Sequence, residues 1–439
     1  MSPERDPRTQ ATTLESPLAA TWRPRVPEKA VLVGVGPGVE ASDLDELAAL
    51  ADSAGAEVVA RVVQSRQDPD PATYVGKGKL EEIHRTLHET GAEAVILDAE
   101  LTPGQLRNLE ARLKVKVIDR TALILDIFAL HARSREGKAQ VELAQLTYLL
   151  PRLRGWGEAM SRLGGGIGTR GPGETKLEVD RQHIRRRIAK LRRDLRELAR
   201  TRDLKRARRE RSGVPQIAIA GYTNAGKSTL MRALTRADVV VADQLFATLD
   251  PTTRRVRLPS GREATISDTV GFVRKLPHEL VEAFRSTLEE VARADLVLHV
   301  ADAASSELEA QIEAVRTVLA EIGAGRVPEI LALNKIDLLA PGERDRLRER
   351  HPEAVLISAA TGEGLEELLE RAAERLPRYP VRVEVLIPHD RGDLLALLHR
   401  EAEVLSERAL PEGVLVRARV GERVHARIAR YAAPVAVAR

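Results

Sequence analysis

The sequence predicts an α/β fold, and three observations carry that prediction. Through the first 120 residues, short apolar runs alternate with segments of helical periodicity. Further on, the run Ile217-Ala218-Ile219-Ala220 enters a glycine-containing turn, Gly221 to Thr229, that opens a helix at Leu230-Met231-Arg232-Ala233-Leu234. Beyond Pro377 and Pro380, Val381 to Ile387 alternates apolar and polar residues like a strand with one exposed face. A chain of 439 residues exceeds a single hydrophobic core, and about three domains are expected.

Residues 1–26 carry Pro, Thr, Arg and Glu without periodicity and read as a disordered tail. Ala30 to Val35 follows as a buried strand, then a helix from Ser42 to Ala54 with Ser42 as its N-cap. Glu57 to Val63 is a second strand, and a helix from about Lys79 to Thr90 stops at Gly91. Ala94 to Asp98, Pro103 to Leu113 and Val115 to Asp119 continue as strand, helix and strand, giving a small parallel α/β subdomain over residues 27–120. Its Gly76-Lys77-Gly78 lacks any surrounding nucleotide fingerprint and reads as a plain turn.

From Thr121 the pattern becomes helical. Ala139, Leu143, Leu146, Leu150 and Leu153 fall at spacings of 4, 3, 4 and 3, and Ile184, Ile188, Leu191, Leu195 and Leu198 repeat them. Two such stripes flanking one loop predict an antiparallel helical hairpin over residues 121–212, each helix covering the other's apolar face. Pro151 must bend or end the first helix. Eight glycines lie between Gly155 and Gly173, with Trp156 and Arg154, Arg162 and Arg170. Glycine permits close backbone approach and arginine pairs with phosphate, so residues 154–175 read as a polyanion-contacting tip in preference to a flexible linker.

Net charge is +4, but Arg181 to Arg211 holds 15 Lys+Arg against 4 Asp+Glu, so the other residues sum to −7. Arg185-Arg186-Arg187, Arg192-Arg193 and Arg208-Arg209 cannot all find acidic partners nearby. A charged helix face is often merely solvated, yet this excess favours contact with a nucleic-acid backbone, which positions without reading sequence. The absence of cysteine excludes disulfides, zinc–thiolate sites and thiol nucleophiles. No apolar run approaches the roughly 18 residues of a membrane span, and the first residues lack the apolar segment of a signal peptide. A cytoplasmic protein, acting as a monomer, is expected.

Strand, glycine turn and helix at Gly221-Tyr222-Thr223-Asn224-Ala225-Gly226-Lys227-Ser228-Thr229 is the context of a phosphate loop. Backbone N–H groups would turn inward around phosphate oxygens at a helix N-terminus. Lys227 would reach the β- and γ-phosphates, and Ser228 would ligate Mg²⁺. Downstream, Phe246-Ala247-Thr248-Leu249-Asp250-Pro251-Thr252 offers a threonine for Mg²⁺ and the γ-phosphate, with Thr252 and Thr253 competing on spacing alone. Asp268-Thr269-Val270-Gly271 follows a strand; its carboxylate serves Mg²⁺ through water, and the Gly271 N–H faces the γ-phosphate. Next, Asn334-Lys335-Ile336-Asp337 follows Ile330 to Leu333. The Asp337 carboxylate can accept from guanine N1–H and the exocyclic amine, a pattern adenine lacks, which selects GTP over ATP. Ser358-Ala359-Ala360 would offer a backbone N–H to guanine O6. Four motifs in order, each after an apolar run, predict a P-loop GTPase domain over residues 213–378 that binds GTP/GDP with Mg²⁺.

This constellation resembles the Obg–HflX group of translation-factor-class P-loop GTPases, and within it the HflX type. The resemblance is carried by GYTNAGKSTL from Gly221, FATLDPT from Phe246, DTVGF from Asp268, NKID from Asn334 and the loop GGGIGTRGPGE ahead of the basic helix. It covers nearly all the chain except the tail. It implies that Thr248 is the Mg²⁺ ligand, joining Lys227 and Gly271 as catalytic residues. It also implies binding to the large ribosomal subunit and ribosomal RNA, through the 154–175 loop and the 181–211 helix, to split or rescue stalled ribosomes. Assembly or RNA-modification checkpoints and protein-partnered signalling are the competing uses of such a domain. Many small GTPases place a water-orienting glutamine directly after DxxG. Phe272 stands there and can neither donate nor accept, so slow unaided hydrolysis is expected. Arg274 or Lys275 could stabilise developing charge, though a solvated role suits both better.

Residues 379–439 read as a small α+β domain: the strand from Val381, a helix capped by Asp393 and running to about Glu407, then Val414 to Val420 and Val424 to Ile428 as a closing pair of strands. No catalytic constellation falls there.

Overall fold

The structure, a computed structural model, describes residues 28–153, 172–210, 214–235, 245–246, 252–259, 261–269, 271–273, 290–376 and 381–431. The tail read over 1–26 lies outside them, as does nearly all of the glycine-rich tip. Two compact units are present, Met1–Asp126 and Ile127–Arg439.

In the first unit β1 (Glu28–Gly36), β2 (Ala56–Ser65), β3 (Ala94–Leu97) and β4 (Lys116–Asp119) form a parallel sheet in the order β2-β1-β3-β4. Ala30 to Val33 are buried on both faces, as an unbroken apolar run in a central parallel strand requires. Helices α1 (Asp45–Ser53), α2 (Lys77–Thr90) and α3 (Pro103–Leu113) make the crossovers. Val31, Val33, Ile83, Leu87, Val95, Leu97 and Leu109 share one core. Thr102 and Gln105 close a reciprocal capping box around α3, with Pro103 in its first turn.

Two starts differ from the sequence reading. Ser42 is not the cap of α1: Ala41–Leu44 is a 3-10 turn, entered where Asp43 accepts the Glu40 N–H at 2.8 Å. And α2 begins at Lys77, because Gly76 anchors its N–H on Gln64 at 2.9 Å, making Gly76-Lys77-Gly78 a helix start.

Helix α4 (Arg120–His131) leads into the second unit, where α5 (Arg135–Arg152) and α6 (Pro172–Glu210) pack through the predicted stripe. Leu146, Ile188 and Leu191 are buried, with Ala139, Leu143, Leu150 and Ile184 against them. Pro151 sits in the last turn of α5, so it ends the helix.

The larger sheet comprises β5 (Gln216–Gly221), β6 (Thr253–Arg257), β7 (Glu263–Asp268), β8 (Leu296–Asp302), β9 (Glu329–Asn334) and β10 (Val355–Leu356), in the order β10-β9-β8-β5-β7-β6. It is parallel except for the edge strand β6. Alternate residues feed cores on its two faces, Ile330 and Ala332 to one and Leu331 and Leu333 to the other. The described helices of this region are α7 (Lys227–Thr235), α8 (Leu308–Glu321), α9 (Pro341–Arg350) and α10 (Leu365–Arg375).

The C-terminal segment is an antiparallel sheet of β11 (Val381–Ile387), β12 (Ala402–Leu410) and β13 (Gly413–Val420), in the order β11-β13-β12, with α11 (Gly392–Glu401) and α12 (Glu422–Ile428). The expected helix to Glu407 stops at Glu401, because Leu410 to Gly413 is a hairpin turn that needs a strand before it. Nor is Val424 to Ile428 a strand: those two residues, four apart, enter one core from a helix face. Asp393 is not the cap of α11; it takes the guanidinium of Arg391 at 2.8 Å through each oxygen.

Candidate nucleotide site

The site forms where β5 gives way to α7. A Cβ at Gly221 would fall 2.1 Å from the Val300 carbonyl of β8, so only glycine fits this strand end. Asn224 and Gly226 adopt φ of +58° and +91° on either side of Ala225, left-handed backbone that asparagine and glycine tolerate best. A Cβ at Gly226 would meet Asn334 Nδ2 at 2.2 Å. The turn then hands over to α7, where the Leu230 N–H donates to the Gly226 carbonyl at 2.9 Å, with Ser228 and Thr229 in the first turn.

Lys227 is buried, and Nζ donates to the Tyr222 carbonyl at 2.7 Å. Among the described residues no carboxylate stands at ion-pair distance, and burial pushes its pKa down to about 8, with Asp268 partly opposing the shift. Ser228 Oγ donates to Asp268 Oδ2 at 2.9 Å. The Asp268 carboxylate also accepts the Thr269 N–H, and Thr269 Oγ1 donates to the Ile219 carbonyl at 2.6 Å, fixing the motif to β5. Gly271 packs so closely that a Cβ would meet Thr223 Cγ2 at 2.7 Å and Lys227 Nζ at 3.1 Å. Phe272 is tied to the phosphate loop: its N–H donates to the Gly221 carbonyl and its carbonyl accepts from Thr223. A desolvated ammonium short of counter-charge and a hydroxyl–carboxylate pair of hard oxygens fit a polyphosphate with Mg²⁺.

At the other end, the Asn334 side chain bridges two loops. Nδ2 donates to the Ala225 carbonyl at 2.8 Å and Oδ1 accepts the Ala359 N–H at 2.9 Å. Sequence reasoning put Asn334 among the nucleotide contacts; here both ends of its amide are occupied by protein. Lys335 has φ of +68° and pairs through Nζ with Asp302 at 2.7 Å, a partner that motif reading missed although it ends the apolar strand β8. Ile336 is buried, whereas Asp337 is exposed and takes no partner among the described residues. Of the Ser358-Ala359-Ala360 N–H groups, the first two are engaged, by the Glu363 carbonyl and Asn334, leaving that of Ala360.

Ala247, Thr248, Leu249, Asp250 and Val270 lie outside the described residues. Thr253, a competitor of Thr248, is spoken for in β6, where Oγ1 meets Ser267 Oγ at 3.0 Å. The Thr252 carbonyl accepts the Asp268 N–H. In the basic stretch, Arg187 does have an acidic partner: Nε and an Nη reach the two oxygens of Glu142 at 2.6 and 2.7 Å. This corrects one residue of the arginine triplet, because the hairpin brings α5 alongside and sequence proximity does not show it. Among the described residues no helix is long and apolar enough to cross a membrane.

A phosphate cradle joined through one asparagine to a carboxylate fit for guanine is the arrangement of a P-loop GTPase; the chain hydrolyses GTP and binds GTP and GDP with Mg²⁺. Residues 41–129 match the family described as GTP-binding GTPase N-terminal, 131–209 the GTP-binding GTPase Middle Region, and 216–335 the 50S ribosome-binding GTPase. The GTPase HflX of Caldanaerobacter subterraneus subsp. tengcongensis is 49% identical over 92% of this chain and 94% of its own. That of Escherichia coli K12 is 47% identical over 84% and 87% respectively. The chain belongs to the HflX family of GTPases. A GTP-binding protein from Sulfolobus solfataricus, solved with GDP, is 27% identical over 79% of this chain and 98% of its own, with a TM-score of 0.42.

Proposed function

We propose that this GTPase works in the cytoplasm on the large ribosomal subunit, gripping ribosomal RNA through α6 and the 154–175 loop to split or rescue stalled ribosomes. The observation that carries the proposal is the face of α6: Arg185, Arg186, Lys190, Arg192, Arg193, Arg196 and Arg200 are all exposed. A helix of that charge is suited to a phosphate backbone, and the family description of residues 216–335 names 50S binding. Within the site, Lys227 would hold the β- and γ-phosphates, Ser228 and Thr248 would ligate Mg²⁺, and Gly271 would present its N–H to the γ-phosphate. Mg²⁺, when bound, neutralises charge on the phosphate oxygens. Asp337 would read guanine N1–H and the exocyclic amine, and Ala360 would offer its N–H to O6.

Phe272 supplies no group to orient water, so hydrolysis is slow until a partner acts. GTPase rates with and without separated ribosomal subunits test this. A kcat raised by large subunits, and binding that weakens steeply with salt, are expected. A rate indifferent to ribosomes would sink the proposal. Splitting of intact ribosomes with GTP or a non-hydrolysable analogue then separates disassembly from a checkpoint in assembly.

A further inference from the structure

The ring of Phe246 stands edge-on to that of Phe128 on α4, centroids 4.6 Å apart and planes at 76°, and neither residue is more than 3% exposed. Phe246 holds φ of +60°, a left-handed backbone that a bulky side chain keeps only when its surroundings impose it. Here the imposing contact comes from a helix more than a hundred residues away in sequence.

Phe246 precedes Thr248 by two residues. Two residues of chain span at most about 7 Å, so fixing Phe246 confines where Thr248 can stand. Phe128 is itself firmly joined to the hairpin. Its carbonyl accepts the Ala132 N–H at 2.9 Å, and Ser134 then caps α5 by accepting from Gly137 at 2.8 Å. Only residues 132–134 separate α4 from α5, whose apolar stripe packs on the basic helix. Displacement of the hairpin therefore reaches Phe128 through a short, hydrogen-bonded link.

We propose that Phe128 is a positioning residue for GTP hydrolysis, setting through Phe246 the stance of the segment that carries Thr248 and making the rate answer to what the hairpin binds. This rests on the roles proposed above for Thr248 and the hairpin.

The test compares wild type with Phe128→Leu, Phe246→Leu and the double variant. The measurements are kcat and KM for GTP, the Mg²⁺ concentration giving half the maximal rate, and GDP affinity, with and without large ribosomal subunits. Phe128→Leu is expected to lower kcat and raise the Mg²⁺ requirement by about two- to tenfold, the worth of one edge-to-face ring pair. GDP affinity should hold, since GDP has no γ-phosphate for Thr248 to meet, and stimulation by subunits should fall. The double variant should be no worse than the poorer single one. Should Phe128→Leu not fold, Phe128→Met, which keeps apolar volume without the ring edge, gives the same comparison. Losses that simply add in the double variant overturn the proposal. So does a fall in GDP affinity and thermal stability with kcat and Mg²⁺ dependence unmoved, since that is core packing alone. If subunits fail to stimulate the wild type, the ribosomal partner is wrong, but the intrinsic kcat and Mg²⁺ comparison still decides the role of Phe128.

Discussion

Replacing Asn334 by alanine is expected to loosen the whole nucleotide site without changing which base it prefers. The residue is 2% exposed, and its two hydrogen bonds tie the phosphate loop at Ala225 to the loop at Ala359. Each bond contributes about 0.5–1.5 kcal/mol net, and a buried group left without its partner costs about 1–3 kcal/mol. With both partners orphaned the loss is about 2–4 kcal/mol, which corresponds to about 30- to 1,000-fold in nucleotide affinity if binding needs both loops in place. Calorimetric titration with GDP and with ADP, together with urea unfolding of the nucleotide-free protein, measures both consequences. Asn334→Asp should be worse than alanine, because it turns a buried carboxylate toward the Ala225 carbonyl. A variant that kept its stability but changed the ratio of GDP to ADP affinity would place Asn334 on the base and refute the tie.

For Asp337→Asn, one acceptor becomes a donor, so GTP affinity should fall and xanthosine triphosphate, which carries a carbonyl where guanine has the amine, should gain; competition binding reads both. Lys227 has a pKa near 8 in the free site, and a bound phosphate raises it. GDP affinity should therefore be flat below pH 8 and fall above it, by at most about tenfold per pH unit, with the slope absent in Lys227→Arg. In the nucleotide-free protein the sign is opposite. The unfolded lysine holds its proton up to about 10.5, so stability should rise between pH 8 and 10.5 in a chemical-unfolding series. Reversing Arg186 or Arg192 should weaken ribosome binding and its salt dependence without moving the unfolding midpoint. Arg187→Glu, which sets a carboxylate against Glu142, should lower that midpoint as well.

Motif spacing made most of the nucleotide site legible because phosphate recognition is local: Gly221 to Thr229 lie in one turn, and their chemistry follows from the turn itself. What stayed hidden were the bonds between motifs. Asn334 spans 109 residues to Ala225, and Lys335 meets Asp302 from a neighbouring strand. Neither pairing has a sequence period to betray it. The parallel sheets were readable from their unbroken apolar runs, as in Ala30 to Val33. The C-terminal sheet was misread where strand and helix signals compete. Ala402 to Leu410 is mostly exposed on an edge strand and so lacks the apolar alternation that would have distinguished it from a continuing helix.

Phe272 shows why the missing glutamine is more than an omission. Its backbone is paired with Gly221 and Thr223, and its ring is 1% exposed, so the residue spends its side chain on the core. That pairing holds Gly271 against Thr223 and Lys227, where the phosphate end of the site is most crowded. A side chain reaching outward from this position toward a water would have to leave the core and give up the packing that keeps Gly271 in place. Rigidity of the cradle and a self-supplied water-orienting group thus compete for the same residue, and here rigidity has won. The group that orients water must then come from elsewhere, which is the physical reason to seek a partner that supplies or positions it.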